Sequence, residues 1–102
     1  MTFAALEIYL EETDQWNGRP LYAGIIELAR KEGLAGATAY RGIMGFGESA
    51  RMHSMHVLDI SEDLPIVIRI MDEPQKIADL IEKIRGIAEH AKMVTWQVES
   101  LA

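Results

Sequence analysis

Strict alternation of apolar side chains in two well-separated stretches constrains this chain more than any other feature. From Phe3 to Leu10, Ala4, Leu6, Ile8 and Leu10 fall on one face, and Phe3, Ala5, Glu7 and Tyr9 on the other. From Leu64 to Met71, Ile66, Ile68 and Ile70 share one face, and Val67, Arg69 and Met71 the other. A period of two marks a strand, because successive side chains of extended backbone point to opposite sides. Pro65 stands at the start of the second stretch, where it removes no essential ladder bond.

Each stretch is followed by a segment with the helical period. After Asn17-Gly18, a strong turn signal, Pro20 suits the first helical turn, where its missing N–H costs nothing. Leu21, Ile25, Leu28 and Ala29 then form an apolar stripe. Arg30 and Lys31 complement the dipole of the last turn. Gly33 fits the left-handed position beyond it, with Leu34 folding back on Leu28 or Ala29. The second helix is expected to open on a capping-box-like pair, Asp72 and Gln75. Its stripe is Ile77, Leu80, Ile81, Ile84 and Ala88, and Asp79 with Lys83 makes an i,i+4 pair.

Two further strands are expected, Ala37 to Ile43 and Met93 to Glu99. The order is therefore β-α-β-β-α-β, the split βαβ arrangement. The chain is expected to form one α+β domain over residues 1–102, ferredoxin-like, with a four-stranded antiparallel sheet and two helices on one face. At 102 residues it is long enough for one two-layer core. The other sheet face carries Phe3, Ala5, Tyr9, Val67 and Met71, too apolar to leave in water. The first and third strands are neighbours in this topology, which lets Glu7 pair with Arg69 across that face. Burial against other copies of the chain is expected, hence a homo-oligomer.

Composition removes several function classes. Hydrophobic residues make up 49% and charged residues 25%, a globular balance. The net charge is −6, with ten Lys and Arg among sixteen Asp and Glu, which argues against nucleic acid as a partner. The absence of cysteine excludes disulfides, thiolate metal sites and a thiol nucleophile. No apolar run reaches the roughly 18 residues a membrane helix needs. The start, MTFAALEIYLEE, lacks the features of a signal peptide. The expected location is the cytoplasm, without membrane insertion.

Five of the eight glycines lie between Gly33 and Gly47. The next segment, Glu48 to Asp63, is a long connection without clear periodicity. Gly42-x-x-Gly45-x-Gly47 can form a backbone-amide nest for an anion, or a strand exit that simply needs flexible turns. It is neither a dinucleotide fingerprint nor a P-loop, since no helix follows and no Gly-Lys-Ser/Thr is present. Met52, His53, Met55 and His56 suit a soft metal such as Cu(I), but no third strong ligand is near, and no metal is assigned. Trp16 and Trp96 read as core or interface, and His90 as an exposed helix-end residue. No nucleophile–base–acid arrangement can be assembled, so the chain is read as a non-enzyme.

The run Gly33-Leu-Ala-Gly-Ala-Thr38, then Gly45-Phe-Gly47, a loop, and Leu64-Pro65 with its alternating strand resembles the nitrogen-regulatory PII signalling family. Gly36-Ala-Thr38, Arg41-Gly42, Gly45-Phe-Gly47 and Asp63-Leu-Pro65 are more similar still to the small uncharacterised PII-like proteins. The resemblance implies a homotrimer with ligand clefts between subunits, a nucleotide as the ligand, and a long loop that engages a target protein. It maps the ligand site onto Thr38, Arg41, Gly42, Gly45, Phe46 and Gly47, with Thr38 on the adenine side and Gly45 to Gly47 at the phosphates. Glu48, Arg51, His53 and His56 fall in the implied effector loop, 48–63. In PII a basic residue follows Gly-Phe-Gly, whereas here Glu48 follows. The region before the last strand, Gly-Lys-containing in PII, reads Gly86-Ile-Ala-Glu-His-Ala-Lys-Met93. Fold and trimer are therefore expected to carry over more fully than ATP binding, and the cofactor is left unassigned. The alternatives are a metal-binding trimer that uses the Met/His loop, and a small ferredoxin-like enzyme with a pocket at Phe3, Tyr9 and Met71.

Overall fold

Extended backbone forms where alternation predicts it. The computed structural model of the chain describes residues 1–47, 53–54 and 63–101, with 53–54 described by their backbone. In chain order the elements are β1 (Thr2–Glu11), β2 (Gln15–Trp16), β3 (Arg19–Pro20), α1 (Leu21–Lys31), β4 (Ala37–Arg41), β5 (Met44–Gly45), β6 (His53–Ser54), β7 (Pro65–Asp72), α2 (Pro74–Ile87) and β8 (Lys92–Glu99). The main sheet has the order β4-β7-β1-β8, and each adjacent pair is antiparallel. This is the ferredoxin-like α+β arrangement. Both long central strands, β1 and β7, are β-branched or leucine-rich on one side. Leu6, Ile8, Ile66, Ile68 and Ile70 meet Leu21 and Ile25 of α1, and Ile77, Leu80 and Ile84 of α2, in a single buried cluster. Burial of each such side chain contributes about 1.5–3 kcal/mol before the entropy of ordering is subtracted.

The two-residue turn Asn17-Gly18 closes a short hairpin between β2 and β3. Both turn residues have positive φ, 53° and 74°, as a hairpin turn of matching twist requires. The hairpin lays Trp16 against Gly24 in α1, where a Cβ would come within 3.0 Å of the indole. At the other end of α1, Gly33 (φ 80°) takes the left-handed position. Its N–H donates to the Arg30 carbonyl at 3.2 Å, and that of Leu34 to the Ala29 carbonyl at 3.1 Å. These two bonds are the Schellman ending expected at this glycine.

Three local expectations are corrected. The second strand of the fold stops at Arg41, not Ile43, because Gly42 turns out of register while donating its N–H to the Pro65 carbonyl at 2.7 Å. The chain then re-forms a ladder of its own, β5 with β6, at the base of the long connection. The cap of helix α2 lies one residue later than Asp72 and has no side-chain bond: Glu73 is the capping residue, with Pro74 at the first helical position. Asp72 instead accepts from the Glu73 N–H at 2.7 Å and the Ala35 N–H at 2.9 Å. It thereby ties the β7–α2 junction to the turn after α1. Lys83 reaches across to Glu32 of the α1 cap and not to Asp79, which accepts from Gln75 at 2.9 Å. An inter-helix ion pair has displaced an intra-helix one.

The sheet face away from the helices is open. Tyr9, Tyr40, Met71, Val94 and Trp96 are exposed there. The expected Glu7–Arg69 pair stands in its middle, on residues that are register partners, with Arg69 Nε 2.9 Å from Glu7 Oε2.

Candidate functional site

A cleft of about 750 Å³ opens at the end of the sheet where β1 exits and β7 enters. Its floor is the end of the core: Leu10, Leu21, Pro65 and Ile66. One wall is Gly45, Phe46 and Gly47; the opposite wall is the turn from α2 into β8, Ala88 to Lys92. Glu11 and Asp14 at the exit of β1 complete the rim.

The rim is positioned by backbone bonds. Asp14 caps the turn after β1 by accepting from the Glu11 N–H at 2.9 Å, and its carbonyl takes the Leu21 N–H at 2.8 Å. The carbonyl of Leu64 accepts from the Glu12 N–H at 2.9 Å, and the Asp63 carboxylate from the Thr13 N–H at 3.2 Å. The long connection is therefore pinned to β1 at its far end and by the β5–β6 ladder at its near end.

Three glycines that look alike in sequence have different reasons to be glycine. A Cβ on Gly42 would lie 2.7 Å from Pro65 Cγ, and one on Gly45 would lie 3.2 Å from it. Both make room for the proline ring that starts β7. Among the described residues Gly47 has no such neighbour: the nearest of their atoms to its Cβ position is Glu11 Oε1, at 4.0 Å. Its φ is not positive either. Its missing side chain leaves space in the cleft, and no packing contact among the described residues accounts for it.

Of the residues the sequence singled out, Gly45, Phe46 and Gly47 line this cleft together, and the Phe46 ring is exposed beside it. Thr38, Arg41 and Gly42 are not among its lining residues. Thr38 is the register partner of Arg69, and Arg41 forms an ion pair with Glu12. The backbone of His53 is in β6, opposite Gly45. Glu48, Arg51 and His56 lie outside the described residues, as does most of the Met/His loop. Among the described residues no group of three His, Asp or Glu could hold a metal ion, and no helix is long and apolar enough to cross a membrane. The wall Ala88 to Lys92 was not legible from composition or periodicity. Its only sequence signal was its place before the last strand, where PII proteins carry a Gly- and Lys-containing loop.

A second, shallow depression lies on the open sheet face, lined by Glu7, Tyr9, Tyr40, Val67 and Arg69. Phe3 and Met71, expected to line a pocket on this face, do not take part. The Tyr9 hydroxyl donates to Glu7 Oε1 at 2.7 Å. That bond, followed by the pairing with Arg69, holds the Glu7 carboxyl below its ordinary pKa. The same bond raises the Tyr9 hydroxyl. Arg69 lies 5.7 Å from the Tyr40 ring centroid, and Lys92 Nζ 5.8 Å from that of Tyr9. Tyr9 borders both the depression and the cleft.

Known proteins share this fold. The model of the family DUF190, described as an uncharacterised ACR, matches residues 3–100. A UPF0166 protein of Aquifex aeolicus is 33% identical over 90 residues, covering 88% of this chain and 84% of that protein. Among solved structures, CPII, a nitrogen regulatory PII-like protein from Thiomonas intermedia K12, bound to ADP, AMP and bicarbonate, has a TM-score of 0.72. It is 19% identical, with 98% of this chain and 89% of that one covered. A putative PII-like signaling protein from Thermus thermophilus has a TM-score of 0.63 at 14% identity, with 95% and 85% covered.

Proposed function

Because the chain belongs to the DUF190 family and has the fold of PII-like proteins, we propose that it is a PII-like regulatory module. A small ligand, in this reading a nucleotide, enters the cleft between Gly45–Gly47 and Ala88–Lys92, and is released unchanged. The observation that carries the reading is Gly47. It borders the cleft, meets no steric demand from the described residues, and follows the ladder that sets the base of the 48–63 connection. A ligand against this wall therefore acts on the root of that connection. It shifts the connection's conformation by as much as it prefers one arrangement over another, and a protein target reads the difference.

The open sheet face supports assembly. Five large apolar side chains are exposed there around the Glu7–Arg69 pair, more than a monomer leaves in water. We read this face as the inner surface of a homotrimer in the cytoplasm, with each cleft near a subunit boundary. The CPII structure, with its bound adenine nucleotides and bicarbonate, supports the choice of ligand to try first.

The test is a thermal-shift screen of nucleotides and bicarbonate on the wild type and on Gly47→Val, with mass measured by light scattering. A stabilising ligand whose effect is lost in Gly47→Val, while both proteins keep a mass three times the 11.4 kDa of one chain, supports the reading. A monomer, or a ligand effect that survives the valine, refutes the corresponding part of it.

A further inference from the structure

The walls of the cleft are poor in positive charge. Asp14 and Glu89 line it, Glu11 adds a further carboxylate, Lys92 is the only Lys or Arg among its described lining residues, and the His90 imidazole, which also lines it, lies 3.2 Å from Glu89 Oε1. Leaving Glu11 out of the count, carboxylates still outnumber ammonium groups. Several of the described cations outside the cleft already have partners. Arg30, Arg41, Arg69, Lys83 and Arg85 are held in ion pairs with Glu27, Glu12, Glu7, Glu32 and Glu82. Lys76 donates to the Gly33 carbonyl at 3.3 Å. The apolar provision of the cleft is better developed: the exposed Phe46 lines it together with Leu10, Leu21, Pro65 and Ile66.

We infer that the cleft selects a nucleoside with no more than one phosphate, over the di- and triphosphates of the same base. This rests on the reading of the cleft as a nucleotide site. A base finds an aromatic ring and an apolar floor, and one phosphate finds the Lys92 ammonium. A second or third phosphate adds negative charge without a second Lys or Arg among the described walls, and must approach Asp14 or Glu89, with the His90 imidazole already turned to Glu89. With Glu89 78% exposed, a carboxylate about 8 Å away weakens binding of each added charge by roughly threefold, so the two added charges of ATP reach roughly tenfold together.

The experiment is isothermal titration calorimetry with adenosine, AMP, ADP and ATP, at constant ionic strength and with divalent metal chelated. The wild type is compared with Glu89→Lys and Lys92→Ala. AMP should bind at least tenfold more tightly than ATP. Glu89→Lys should narrow that gap by tenfold or more, and Lys92→Ala should reduce AMP affinity towards that of adenosine. ATP binding as tightly as AMP, or a gap indifferent to Glu89→Lys, overturns the charge selection and leaves the cleft as the site. Failure of all four compounds to bind overturns the nucleotide reading itself, and the selection with it. Circular dichroism of both variants confirms that they fold.

Discussion

Removing the Asp72 carboxylate should destabilise the protein in a way that depends on pH. Asp72 is 5% exposed, yet its two oxygens accept backbone N–H groups from two different segments, Glu73 and Ala35. Hydrogen bonds to a charged acceptor contribute about 1.5–3 kcal/mol each when buried. Ala35 and Glu73 are themselves exposed, so water takes over part of what they lose, and about 1 kcal/mol for each bond is the better figure. Asp72→Ala is thus expected to lower unfolding stability by about 2 kcal/mol at pH 7, and Asp72→Asn by about half of that, since one acceptor oxygen remains. Burial alone would raise the carboxyl, but the Glu73 and Ala35 amides, with Lys76 nearby, outweigh it and hold the pKa below its ordinary 3.8. The sign follows: the stabilisation is complete above about pH 4 and is lost as pH falls through the depressed folded value. Urea unfolding followed by circular dichroism, at one protein concentration and at pH 7 and pH 2.5, measures it. The gap between wild type and Asp72→Ala should shrink at the lower pH. A gap under about 0.5 kcal/mol at pH 7, or one that grows in acid, would refute the role assigned to the two amides.

Other positions give equally direct outcomes. Gly33→Ala forces a Cβ into a left-handed conformation at φ 80° and should lower stability by about 1–2 kcal/mol in the same urea assay. Gly42→Ala places a Cβ 2.7 Å from the Pro65 ring and should destabilise by about 1–3 kcal/mol. The double variant Gly42→Ala with Pro65→Ala should recover part of that loss, and additive losses would contradict the packing account. Glu7→Lys sets two cations side by side at the centre of the open face, on residues that are register partners. Size-exclusion chromatography with light scattering should show the proposed trimer dissociating while circular dichroism shows an unchanged fold.

The fold was legible because its information is local and periodic. Leu6, Ile8, Ile66, Ile68 and Ile70 announce a two-sided strand by spacing alone, and the core they form is the core observed. Gly33 announced its own geometry, since a glycine just past the basic last turn, Arg30-Lys31, is where a helix ends in a left-handed residue. The local pairings were less legible. Asp72 reads as a helix cap, but the turn holding Ala35 lies 37 residues away in sequence and competes for the same oxygens. Lys83 reads as Asp79's partner until the fold brings Glu32 within reach. The glycine segment was legible as special but not as divided. Gly42 and Gly45 answer to Pro65, and only the structure separates them from Gly47. The wall from Ala88 to Lys92 has no periodic signature, because it is a turn between a helix and a strand. It joins the cleft only when α2 returns it to face the wall that holds Phe46.

If this cleft is the ligand site, one ligand meets both of its walls at once. Amide chemical-shift mapping by NMR, with AMP titrated into uniformly labelled protein, tests this most directly. Concerted, saturable shifts are expected at Gly45, Phe46 and Gly47 and at Ala88 to Lys92, with the amides of Thr38 to Tyr40 on β4 unmoved. Shifts confined to β4 and the open sheet face, or none in either wall at saturating AMP, would contradict it.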